Sequence, residues 1–186
     1  MRSINPYTEE LMVEFEILSW EETVGKIEKA RERFENWNNI PTTERTAYLK
    51  KLASVLRENK RKYAEIITKE MGMIIRASTA SVEKCARLCD YYAENAEKFL
   101  EDEHIETENL KSYISFEPLG IVFGIMPWNF PFWQVFRQAV PSVTAGNVFV
   151  LKHASNVPQC ALAIEQIFKD AGYPEDQARA DQQGRA

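Results

Sequence analysis

The sequence predicts an α/β fold in which helices and a hairpin lead into the start of a parallel sheet. Three observations carry this. Apolar residues recur at helical intervals from about residue 20 to 100, two short β-type runs flank "TEN" at 107–109, and a helix-like stretch separates two nearly continuous apolar runs, "GIVFGIM" and "NVFVLK". Strands apolar on both faces belong to sheets covered on both sides, which is the parallel βαβ arrangement. At 186 residues and 45% hydrophobic, the chain has material for one domain or two small ones.

Taken in order, "INPYTEELMVEFEIL" suits a turn at Asn5 and Pro6 followed by an edge strand, in which Met12, Glu14 and Glu16 alternate with Val13, Phe15 and Ile17. Ser19 and Glu22 form a capping-box pattern, and Val24, Ile27, Phe34 and Trp37 extend it into a helix over 20–37. Tyr48, Leu49, Leu52, Val55 and Leu56 mark a second helix. Tyr63, Ile66, Ile67 and Met71 mark a third that stops near Gly72, and a fourth is expected from Ser78 to Leu100. These make a helical part over 1–102. Residues 103–118 read as a protruding hairpin, which is marginal alone and suits an oligomer contact.

A parallel unit then starts over 119–175: a strand at 120–126, a helix at 131–144, a strand at 147–152 and a helix from Val157 to Ala171, ended by Gly172. A third strand is due after "AGYPED". However, "QARADQQGRA" has no apolar residue larger than alanine, so 176–186 reads as a disordered or out-of-frame tail and the chain as truncated.

The net charge of −5, with acids and bases interspersed, argues against a nucleic-acid partner. The basic run "KRK" at 60–62 sits among glutamates and reads as solvated surface. No apolar stretch approaches the roughly 20 residues that span a bilayer, and the polar start "MRSINPYTEE" is unlike a signal peptide, so no membrane partner and a cytoplasmic location are expected. Cys85, Cys89 and Cys160 are too few and too odd in number for a disulfide framework. Cys85 and Cys89 share an apolar helical stripe with Val82, Tyr92 and Ala96 and read as core thiols, and no metal site is expected.

Ligands of open α/β sheets bind beyond the carboxyl ends of the strands. Asn129 follows the first apolar strand and Lys152 ends the second, so both should point into one crevice, unless they are merely loop anchors. Arg137 lies in an otherwise apolar helix, where a charge is costly unless it snorkels or meets an anion.

"EPLGIVFGIMPWNFP" (117–131) and "AGNVFVLK" (145–152) resemble the signature segments of the aldehyde dehydrogenase superfamily, and the helical first half, including "TERTAYLKKLASVL" (43–56), fits its layout. The resemblance implies a Rossmann-like cofactor-binding fold and NAD(P)-dependent oxidation of an aldehyde by thiolate attack, hydride transfer and thioester hydrolysis. It places the oxyanion-holding amide on Asn129, the cofactor groove at the backbone of Met126, Pro127 and Trp128, and the ribose or 2′-phosphate contact on Lys152. Where many NAD-preferring members carry a glutamate, this chain has Ser155, whose neutral hydroxyl tolerates a 2′-phosphate; the expectation is NADP, with NAD not excluded. "KHASNVPQCALAIEQIF" (152–168) is similar to succinate-semialdehyde dehydrogenases. That subgroup puts a substrate-carboxylate contact on Arg137, with Phe130 on the substrate side; stacking of Arg137 on Trp133, or an ion pair within the parent fold, is the alternative. His153 departs from the proline common after the family lysine and is given no catalytic role. No cysteine here matches the family nucleophile, so the expectation for this chain alone is inactivity. The competing expectation is a non-catalytic oligomerising or binding module derived from the family.

Overall fold

The computed structural model describes residues 1–175 and 177–181. β1 (Arg2–Ile4) pairs antiparallel with β2 (Leu11–Glu14) across a turn in which the Asn5 side chain accepts from the Tyr7 N–H at 2.9 Å. The edge strand expected from Met12 onward thus ends sooner, and it has a partner before Asn5 that three residues of weak pattern did not announce. α1 (Trp20–Trp37) starts at the expected capping box: Glu22 N–H donates to Ser19 Oγ at 3.1 Å and Ser19 N–H to Glu22 Oε2 at 2.7 Å. α2 (Thr42–Glu58) and α3 (Lys60–Met71) follow, and α4 (Ile75–Phe99) begins three residues before Ser78. In the 60–62 run, Lys60 meets Glu83 at 3.0 Å and Arg61 meets Glu65 at 2.7 Å, the paired surface that interspersed charge predicts.

β3 (Glu103–His104) and β4 (Tyr113–Ile114) form the hairpin, in the register Glu103 opposite Ile114. Ile105, Tyr113, Ile114 and Phe116 on it are exposed. Then β5 (Ile121–Met126), α5 (Pro131–Thr144), β6 (Val148–His153), α6 (Pro158–Asp170) and β7 (Ala178–Asp181) alternate, and the sheet order is β5-β6-β7, all parallel.

β7 corrects the expectation that residues from 176 on form a tail. Strand pairing needs backbone groups rather than large side chains. The Phe149 N–H donates to the Gln177 carbonyl at 3.1 Å, the buried Gln177 amide donates to the Asn147 carbonyl at 2.8 Å, and Ala178 is small enough to fit against the core. Residues 182–186 lie outside the described residues.

The pleat explains the layers. Phe149 and Leu151 of β6 join the main core with Phe132, Phe136, Val140 and Phe168 of α5 and α6, whereas Val148 and Val150 face Ala30 and Phe34 of α1. The same main core includes Leu49, Leu52 and Leu56 of α2, Ile67 of α3 and Val82, Cys85 and Cys89 of α4, so the helical part and the sheet share one interior. Gly124 lets β5 approach it: a Cβ there would lie 2.3 Å from the Phe149 ring. At the α5–β6 turn Gly146 has φ +91°, a conformation L side chains rarely adopt, and a Cβ would lie 2.3 Å from the Arg45 guanidinium. Beside it, buried Asn147 accepts from the N–H groups of Leu119 (2.7 Å) and Gly120 (3.0 Å) and donates to the Ser142 carbonyl (3.1 Å), tying the entry of β5 to the exit of α5. No described helix is long and apolar enough to cross a membrane.

Candidate active site

The parallel register puts Ile125 opposite Lys152 and Met126 opposite His153, so β5 and β6 end side by side. The segment from Pro127 to Phe130 leaves β5 there. Pro131, first in α5, has no N–H to lose at a helix start, and its fixed φ suits that position. Asn129 is exposed on this segment, and its amide has no hydrogen-bond partner among the described residues. Trp128 and Phe130 beside it are also exposed. The Met126 side chain turns into the core and its carbonyl accepts from the Ala154 N–H at 3.0 Å. Lys152 is half-buried, and its ammonium approaches the His153 carbonyl at 3.5 Å; Ser155 is half-buried in the turn after β6. The structure thus brings the expected residues on β5, β6 and the two following turns to one end of the sheet.

His153 holds that end together, a part the sequence did not announce. Its Nδ1 accepts from the Ala154 N–H at 2.8 Å, which makes Nε2 the protonated nitrogen, and Nε2 donates to the Pro131 carbonyl at 2.9 Å. β6 is thereby strapped to the first turn of α5. Burial lowers the imidazole pKa; hydrogen bonds to the Pro131 and Met126 backbone oppose the shift and nearby Lys152 adds to it. A histidine with a folded pKa below its unfolded value of about 6.5 stabilises fully above that value, and the contribution is lost as pH falls through the folded pKa. Chemical denaturation should show a lower midpoint at pH 5.5 than at pH 7.5, with a smaller difference in His153→Gln. An equal difference in both proteins would remove the imidazole as its source.

Two depressions flank α5. Ile125, Met126, Pro127, Gln134 and Arg137 border one of about 440 Å³; Phe130, Trp133, Gln134 and residues of α4 border the other, of about 480 Å³. Gln134 belongs to both. Arg137 is exposed, and the face of Trp133 carries Lys84, at 3.8 Å, instead of Arg137. No carboxylate pairs with Arg137 among the described residues. Cys85, Cys89 and Cys160 are buried, and burial pushes all three thiols well up from their ordinary range, so none is a thiolate at neutral pH.

Residues 1–179 match the aldehyde dehydrogenase family. The chain is 46% identical over 173 residues to a probable NADP(+) succinate-semialdehyde dehydrogenase of Synechocystis sp., covering 93% of this chain and 38% of that protein. It is 42% identical over 176 residues to the NAD(P)+ succinate semialdehyde dehydrogenase Sad of Escherichia coli, covering 93% and 37%. Among solved structures, succinic semialdehyde dehydrogenase from Streptococcus pyogenes in complex with NADP+ superposes with a TM-score of 0.95 at 33% identity, over 98% of this chain and 40% of that one. The chain therefore spans about two fifths of the length of these relatives. With helices, hairpin and strand ends laid out as in proteins that share a third or more of its residues, the chain belongs to the aldehyde dehydrogenase family.

Proposed function

We propose that this chain supplies the cofactor crevice and the oxyanion-holding amide of an NAD(P)-dependent dehydrogenase that oxidises a short aldehyde with a distal carboxylate, of the succinate-semialdehyde type. The observation that carries the reading is the unpartnered Asn129 amide on the segment that leaves the carboxyl end of β5, a strand whose Ile125 pairs with Lys152 on the adjacent strand. An aldehyde attacked by a thiolate places negative charge on its oxygen, and a carboxamide N–H donates to that charge without titrating. The thiolate comes from outside these 186 residues, since the three thiols here are buried and burial pushes their pKa upward. A nicotinamide cofactor, when bound, supplies the hydride acceptor.

The residues present fit such a cofactor. Beyond the paired ends of β5 and β6, Lys152 offers an ammonium, and the hydroxyl of Ser155 tolerates the phosphate that distinguishes NADP. Phe130 and Arg137 face the substrate side, Arg137 as one cation for the distal carboxylate. The exposed hairpin apolars, Tyr113, Ile114 and Phe116, favour self-association in the assembled enzyme, a homo-oligomer. They also sustain the second reading, a non-catalytic module that associates without cofactor.

A calorimetric titration of the chain with NADP and with NAD separates the two. The dehydrogenase reading expects saturable NADP binding, weaker by about tenfold or more in Ser155→Glu, whose carboxylate repels the 2′-phosphate, with NAD little affected. Self-association with no affinity for either nucleotide would favour the module.

A further inference from the structure

The cavity of about 480 Å³ between α4 and α5 carries two cations among small and aromatic side chains. Its α4 wall is a single helical stripe, Ala77, Ala80, Ser81, Lys84 and Arg87, and its α5 wall is Phe130, Trp133 and Gln134. The small side chains of Ala77, Ala80 and Ser81 leave the room, and the volume lies within the range of about 300–1,000 Å³ typical of small-molecule sites. Phe130 directly follows Asn129, so the cavity opens beside the segment that carries the amide.

Two cations, Lys84 and Arg87, line a mostly apolar space in which Ser81 and Gln134 are the uncharged polar side chains. The acidic residues of α4 nearest to them in sequence are engaged elsewhere: Glu83 pairs with Arg57 at 3.2 Å and Lys60 at 3.0 Å, and Asp90 pairs with Arg57 at 2.5 Å. Lys84 and Arg87 have no carboxylate partner among the described residues. Lys84 is held with its ammonium 3.8 Å from the Trp133 ring centroid, which fixes its position without neutralising its charge. An apolar trough ending in unneutralised cations is complementary to a short aliphatic chain ending in an anion.

We propose that Lys84 and Arg87 are specificity-determining residues that receive the distal carboxylate of the substrate in this cavity, Lys84 from its place on Trp133. The proposal rests on the dehydrogenase reading for the identity of the other end of that molecule. It gives the carboxylate cations on the α4 side of Gln134, in addition to Arg137 on the opposite side.

The test uses the 186-residue chain with succinate as the probe, which has the carboxylate and chain length but no reactive aldehyde. The Trp133 indole N–H signal, assigned with Trp133→Phe, is followed by NMR in wild type, Lys84→Met and Lys84→Met/Arg87→Met. Expected is a saturable shift in wild type, weakened about fivefold in Lys84→Met and further in the double variant, and absent with 1,4-butanediol. Both replaced side chains are exposed, and melting curves check that each variant is folded. No saturable shift with succinate, equal affinity in the double variant, or an equal response to butanediol overturns the proposal. The NADP titration on the same samples is a separate readout: loss of nucleotide binding with a Lys84-dependent succinate shift removes the cofactor reading and leaves the anion site, and the reverse removes only the anion site.

Discussion

Replacing Asn129 with alanine lowers kcat by about 10²–10³-fold, with little change in KM, when the residues described here are carried in a protein of the relatives' full length. The magnitude is that of one donor aimed at a developing oxyanion, about 3–4 kcal/mol, and the kinetic pattern follows because the charge is present in the transition state and not in the bound aldehyde. Asn129→Asp loses the same donor and adds a negative charge beside the oxyanion, so it is expected to be at least as impaired. Because Asn129 is exposed and makes no hydrogen bond among the described residues, neither variant should shift the melting temperature appreciably. Steady-state kinetics with succinate semialdehyde and NADP are the measurement. A kcat within a few-fold of wild type would leave the amide as a turn residue and nothing more.

The largest effect on folding is expected at Glu70. α6 begins at Pro158 with no side-chain cap from Val157, so the N–H groups of Gln159 and Cys160 would be orphaned. The Glu70 carboxylate, 3% exposed on α3, reaches across: Oε1 accepts from Gln159 at 2.9 Å and Oε2 from Cys160 at 2.7 Å. The Ser3 hydroxyl also donates to Oε1 at 2.5 Å, and the Gln159 side chain closes the ring by donating to Ser3 Oγ at 2.7 Å. One carboxylate thereby caps a helix, favours its positive end and anchors β1. Glu70→Ala removes two capping bonds at a buried helix start and should cost about 3 kcal/mol, against about 1 kcal/mol for Ser3→Ala. Urea denaturation followed by far-UV circular dichroism reads both. A loss below 1 kcal/mol in Glu70→Ala would mean that water replaces the cap.

Periodic elements were legible and remote anchors were not. The box at Ser19 and Glu22, the helical stripes of α2 to α5 and the apolar β5 and β6 follow from neighbours within a few positions, where spacing is informative. Glu70 caps a helix 89 and 90 residues away, and Asn147 reaches back 27 and 28 residues. No local pattern marks such partners. β7 was missed because its alanines carry no apolar signal, and its pairing is made by backbone and by Gln177.

The placement of Asn129 and Lys152 at neighbouring strand ends was legible because a strand end is visible as the point where an apolar run stops. His153, given no catalytic role because it departs from the proline common after the family lysine, straps β6 to the first turn of α5. Lys84 and Arg87 were not singled out from the sequence; the available signal was their continuation of the small-residue stripe Ala77, Ala80 and Ser81.

The half-covered strand β5 has a practical meaning. Ile121, Phe123 and Ile125 alternate along one face and are 37%, 53% and 71% exposed, while β6 is the strand's only hydrogen-bonded neighbour among the described residues. A row of open backbone donors and acceptors beside an apolar face is a template on which further strands can grow. For this chain, colloidal behaviour is therefore coupled to the geometry of the crevice: additives or fused segments that cover β5 would improve solubility from the same strand whose far end presents Asn129.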